Sequence, residues 1–178
     1  MPEFLEVNKT EYRIIKLLGR GKGGYSYLAE RNGNYFVLKQ IHHEPCDYYS
    51  FGNKIEAENS DYQKLCFAGI TVPKMLEIDF ENERILKEYI EGFTVSELVE
   101  NDLITENHFM LVRDMAEKAK RANINIDYFP TNFIEKDGIL YYVDYECNPY
   151  CSEWNFENWG IKYWSKTPEF LDYLKNRS

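Results

Sequence analysis

Asn125-Ile126-Asp127-Tyr128-Phe129-Pro130-Thr131-Asn132, followed by Val143-Asp144-Tyr145-Glu146, is the stretch from which the rest of the chain is read. It offers an aspartate, an asparagine five positions later and a second aspartate beyond a short hairpin. That spacing is compatible with two metal-binding oxygens and one base around a nucleotide phosphate. The intervening run from Phe133 to Val143 reads as two strands turning at Asp137-Gly138. Taken singly, Asp127 also fits a turn residue and Asn132 a cap. The upstream residues decide between these readings.

The chain has 178 residues, enough for one full domain or for two small lobes sharing a cleft. A hydrophobic share of 44% beside 29% charged residues is that of a globular protein. Its net charge of −9 argues against general nucleic-acid or anionic-membrane binding, since phosphate surfaces demand a basic face. A local basic pocket for one small anion is still compatible with that charge. No apolar run approaches the roughly 20 residues of a membrane span. The start, Met1 to Glu6, is acidic and lacks a signal-peptide pattern, so a cytoplasmic protein is expected. Cys46, Cys66, Cys147 and Cys151 fit reduced structural thiols there, because no second close pair or His cluster completes a zinc set.

Glu11 to Lys39 reads as strand, glycine-rich turn, strand, turn and strand. Tyr12 to Leu18 runs into Gly19-Arg20-Gly21-Lys22-Gly23-Gly24; Tyr25 to Glu30 follows; then Asn32-Gly33, a strong hairpin signal, leads to Tyr35 to Ile41. Gly19, Gly21 and Gly24 therefore join strands and do not open a helix, which disfavours a Rossmann-type dinucleotide site. Glycines suit a turn with unusual backbone angles whose amides approach phosphate oxygens, and equally an ordinary glycine-rich hairpin. Phe36-Val37-Leu38-Lys39 ends an apolar strand on a lysine. A helix is expected from Phe51 to Gly69, with Ile55, Tyr62, Leu65 and Cys66 roughly on one face. Glu58 on that helix is placed to meet Lys39, and Glu56 is its rival in register.

A second strand pair, Met75 to Phe80 and Arg84 to Gly92, ends near Glu88-Tyr89-Ile90, whose backbone groups suit an adenine edge; an edge strand is the alternative. Thr94-Val95-Ser96-Glu97 is a capping box, and a longer helix is expected from Thr105 to about Ala122 on an apolar stripe of core residues. A short amphipathic helix is expected around Phe170 to Leu174.

Taken in order, these pieces resemble the protein-kinase-like superfamily over roughly Tyr12 to Glu146. The resemblance implies an α+β, two-lobed fold. An N-lobe (residues 1–89) would hold an antiparallel sheet and one helix, and a truncated, mainly helical C-lobe would span 90–178. It implies ATP and magnesium as cofactors. Gly19, Gly21 and Gly24 would cover the phosphates, Lys39 held by Glu58 would contact them, and Glu88 and Ile90 would meet the base. Asp127 would be the catalytic base, and Asn132 and Asp144 would hold the metal.

Asn125-Ile126-Asp127 stands where the family has H-R-D or H-x-D. The spacing from Asp127 to Asn132 with Pro130 between, and Asp144-Tyr145-Glu146 in place of D-F-G, look like the aminoglycoside- and choline-phosphotransferase-like branch. The stretch after Glu146 contains no A-P-E and is short, as in minimal RIO-like kinases. The expected function is transfer of the ATP γ-phosphate to a hydroxyl of a protein or a small molecule. The alternative is a nucleotide-binding pseudokinase or a partner-dependent regulator, motivated by Asn125 and the short C-lobe. Trp154, Phe156, Trp159, Tyr163 and Trp164 are expected as core aromatics, with a protein-partner patch as the other possibility.

Overall fold

The computed structural model describes residues 1–45 and 53–177. Cys46 and the expected helix start at Phe51 lie outside the described residues. The chain is α+β, with an antiparallel sheet and four α-helices among the described residues, and it divides into two compact units. The first unit comprises residues 1–60 and 73–89, the second 61–72 and 90–178.

In the first unit β1 (Phe4–Val7), β2 (Thr10–Arg20), β3 (Gly24–Arg31), β4 (Asn34–Ile41), β5 (Met75–Asp79) and β6 (Arg84–Glu88) form one sheet in the order β1-β2-β3-β4-β6-β5. Helix α1 (Lys54–Phe67) begins in this unit, and the unit boundary falls after Ser60. Side chains alternate across the pleat, so Tyr27, Leu38 and Leu86, which are register partners, share one face and pack with Tyr12, Ile14 and Ala29. The opposite face carries Lys39 and Lys87. Asn32 and Gly33 both have positive φ (54° and 79°), the backbone that a two-residue hairpin between right-twisted strands requires.

Several expectations need correction. Strand β2 runs through Gly19 and Arg20, with register shifts that let it continue, so the turn is reduced to Gly21–Gly23. None of Gly19, Gly21 and Gly24 has positive φ. Gly24 is required for a different reason, since a Cβ there would lie 2.3 Å from the Gln40 carbonyl oxygen on β4. Cys66 is exposed, because α1 turns Lys54, Ile55, Glu58 and Leu65 inward and the next residue points away. Strand β1 was not expected, and β6 lies between β4 and β5 and so is not an edge strand.

In the second unit α2 (Val95–Glu100), with its Thr94–Glu97 capping box, precedes α3 (Glu106–Arg121). Strand β7 (Ile124–Ile126) pairs with β10 (Cys147–Pro149), and β8 (Phe133–Lys136) with β9 (Ile139–Tyr142). Val112, Met115 and Ala119 of α3 pack with Tyr128, Phe133, Tyr142, Phe156 and Trp164. The Trp164 indole donates to the Tyr128 carbonyl at 2.8 Å. Gly160 lets these layers close, since a Cβ there would fall 2.5 Å from that of Tyr128. Of the C-terminal aromatics, Phe156 and Trp164 are buried, and Trp154 is 51% exposed. Helix α4 (Pro168–Asn176) starts at Thr167, whose hydroxyl accepts from the Phe170 amide at 3.2 Å. Among the described residues no helix is long and apolar enough to cross a membrane.

Asp79 ties two turns of the first unit together. It accepts from the Asn8 amide at 2.8 Å and from the Asn82 backbone and side chain at 2.9 Å each. Burial alone would raise its carboxyl, but these hydrogen bonds from Asn82 and Asn8, with Arg84 nearby, hold it below the usual carboxylate value. Its contribution is therefore present above the unfolded-state value and is lost as pH falls through the lower folded one. Asp79→Ala should lower stability by about 2–4 kcal/mol in urea unfolding at pH 7, and the difference from wild type should shrink below about pH 4.

Candidate functional site

The candidate residues fall into two sets, one in each unit. In the first unit Lys39 projects from β4 on the face away from the apolar cluster. Its register partner on β6 is Ile85, and Lys87 lies two residues further along, on the same face. Glu58 of α1 meets both lysines: Lys39 Nζ stands 2.7 Å from Glu58 Oε2, and Lys87 Nζ 3.5 Å from Oε1. All three side chains are largely removed from solvent, with 12%, 9% and 4% exposure for Lys39, Glu58 and Lys87. Glu56, the rival in register, is exposed.

The glycine turn sits against this group, since a Cβ at Gly23 would lie 3.5 Å from Lys39 Nζ. Two further residues shape the turn. Buried Lys54 donates to the His42 carbonyl at 2.6 Å and to the Lys22 carbonyl at 3.3 Å, and the His42 ring bonds the Gly21 carbonyl oxygen at 2.9 Å. At the end of β6 the Glu88 amide donates to the Lys74 carbonyl at 2.9 Å, and the Glu88 carboxylate accepts from the Lys74 amide at 3.2 Å. Ile90 is buried and belongs to the second unit.

In the second unit Asp127 follows β7 directly and Glu146 precedes β10. The Ile126–Cys147 register therefore brings the two ends of the quoted stretch together. Asp127 is exposed, and its carboxylate accepts from the Phe129 amide at 3.0 Å. Pro130 opens a 3-10 turn over Pro130–Asn132. The Asn132 side-chain NH2 donates to the Asp127 carbonyl at 3.3 Å, which leaves its amide oxygen as the atom suited to a cation. The Val143 amide donates to the Asn132 carbonyl at 2.9 Å, and Asp144 follows next in the chain. Asp144 accepts from the Tyr145 amide at 2.8 Å. Asn125, two residues before Asp127, is buried and donates from its side chain to the Cys151 carbonyl at 3.2 Å. It acts as a packed structural amide joining β7 to the segment that follows β10.

Among the described residues no group of three or more His, Cys, Asp or Glu is arranged to hold a metal. Asn132 and Asp144 offer one amide oxygen and one carboxylate. Such a sparse, all-oxygen set fits magnesium, which takes one or two carboxylates and completes its shell with water and substrate phosphate oxygens.

Lys87, Lys54 and Tyr142 were not singled out from the sequence. Lys87 and Lys54 carry no local signal that separates them from solvated lysines, and Tyr142 reads only as an apolar strand residue. Tyr142 is fully buried. Its hydroxyl accepts from the Asp127 amide at 3.3 Å and donates to the Glu146 carbonyl at 2.7 Å, so one phenol spans both loops. Burial first, then the neighbouring Asp144, pushes its ionisation well above the ordinary tyrosine value, and it remains a donor at all working pH.

No protein-family model matches the chain. Over 81 residues it is 30% identical to the KEOPS complex subunit Bud32 of Pyrococcus abyssi, an aligned stretch covering 43% of this chain and 36% of Bud32. The likeness is distant and partial, and it supports a relationship to the kinase-like superfamily and no finer assignment.

Tyr142→Phe keeps the ring and removes the bridge between the two loops. It should cost about 1–3 kcal/mol in denaturant unfolding and speed amide hydrogen exchange at Asp127. Unchanged exchange there would show that the phenol does not hold this loop.

Proposed function

We propose that the protein is an ATP–magnesium-dependent phosphotransferase, built on a two-lobed kinase-like fold, that moves the γ-phosphate to a hydroxyl acceptor. The Lys39–Glu58 pair at 2.7 Å, largely withdrawn from solvent beside the glycine turn, is the observation that carries this reading. A buried ammonium needs a countercharge, and a carboxylate supplied from a helix aims it in a way that a solvated strand lysine does not require. The likeness to Bud32 gives independent but coarse support.

In this reading Lys39, oriented by Glu58, holds the α- and β-phosphates. The turn at Gly21–Gly23 covers them, and the backbone of Glu88 to Ile90 receives the base. Asn132 and Asp144 hold the metal through their side-chain oxygens. Bound magnesium neutralises phosphate charge and fixes the phosphates for transfer. Asp127 takes the proton of the acceptor hydroxyl as that oxygen bonds to phosphorus and ADP leaves. Asn125 holds β7 to the segment after β10 and so takes over the packing task of the absent histidine. The acceptor is a protein or a small-molecule hydroxyl, and Glu146 in the third position of the metal triplet favours the small molecule. The exposure of Trp154, together with the likeness to Bud32, a subunit of the KEOPS complex, supports a protein partner on the C-terminal aromatic segment.

Magnesium-dependent ATP turnover, with chelation as control, tests the proposal. Asp127→Ala should reduce turnover about 10²–10⁴-fold while sparing nucleotide binding, and Asp144→Asn should weaken binding of the magnesium complex as well. Turnover unchanged in both variants would contradict the assigned roles. Thermal stabilisation by magnesium–ATP with no turnover at any acceptor tried would favour the pseudokinase alternative.

A further inference from the structure

Glu58 faces a lysine ammonium at each of its oxygens, and the second of these belongs to a residue that the phosphotransferase scheme does not use. Oε2 faces Lys39 at 2.7 Å, whereas Oε1 is buried and makes no hydrogen bond. The cation facing Oε1 is Lys87, at 3.5 Å. Lys87 is 4% exposed although it is a lysine on a strand, where the ordinary outcome is a solvated ammonium. Its placement follows from the sheet: Val37–Lys87 and Lys39–Ile85 are register pairs, so period-2 alternation sends both ammonium groups to the face that Glu58 occupies. A single carboxylate oxygen paired with Lys39 leaves the Glu58 head group able to rotate about its last bond. A second cation on the other oxygen removes that freedom.

We infer that Lys87 is a positioning residue: by fixing Glu58 from its second oxygen it sets where the Lys39 ammonium points. The inference rests on the proposed nucleotide role of Lys39, but the Lys87–Glu58–Lys39 linkage can be tested without nucleotide. Without the Lys87 ammonium a buried carboxylate oxygen faces only apolar groups at position 87, and Glu58 is expected to draw away and carry Lys39 with it.

The test is a double-mutant cycle over Lys87→Met and Glu58→Gln, with Lys87→Arg as the charge-keeping variant, read by two measurements on the full chain. By calorimetry, Lys87→Met should weaken magnesium–ATP binding about tenfold, Lys87→Arg should restore most of it, and Lys87→Met placed on Glu58→Gln should add less than about twofold. By urea unfolding without nucleotide, the two positions should be coupled by about a factor of ten in the folding constant. If the wild type binds no magnesium–ATP, the phosphotransferase reading fails, and the unfolding cycle alone decides the linkage. Independent, additive effects at positions 58 and 87 in that cycle would overturn the inference. So would wild-type affinity in Lys87→Met.

Discussion

One carboxylate, that of Glu58, faces two lysine ammonium groups largely withdrawn from solvent on one face of the six-stranded sheet. An unpaired buried charge costs several kcal/mol, and a buried pair is tolerated only when its geometry is good. Glu58 meets that condition for Lys39 and, at longer range, for Lys87. The sheet fixes the lysines by register and α1 fixes the carboxylate by its helical period, so neither element reaches this arrangement alone. A third buried lysine, Lys54, is accommodated by backbone carbonyls, and it braces the glycine turn beside Lys39.

The second unit solves a related problem with neutral groups. Asp127, Asn132 and Asp144 stand on short irregular segments whose backbone polar groups need partners. The Tyr142 hydroxyl, the Asn132 side chain and the Val143 amide supply them, beneath a core of packed aromatics. Side chains on loops gain their precision from such supports. Here Tyr142 is the element common to both loops.

Much of this was legible in the sequence because local rules are strong where they apply. Asn32-Gly33 and Asp137-Gly138 adopt the positive-φ pairs that their hairpins require, and Thr94 caps α2 as its spacing indicates. The meeting of Lys39 and Glu58 could be anticipated from an apolar strand ending in lysine and a helical glutamate at a suitable register. What escaped depends on long-range pairing. Strand β1 and the β7–β10 pair are too short to stand out by pattern, and the shifts that carry β2 through Gly19 depend on its partner β3. Lys87 and Tyr142 are distinguished only by what folds against them. Gly24 was picked out for backbone freedom, but the constraint there is the closeness of β4.

The most direct test of the account is a crystal structure with a non-hydrolysable ATP analogue and magnesium. The account predicts the Lys39 ammonium on the α- and β-phosphates with its Glu58 contact kept, and the metal on the Asn132 and Asp144 side-chain oxygens. A nucleotide bound away from Lys39, or a metal that engages neither Asn132 nor Asp144, would contradict it.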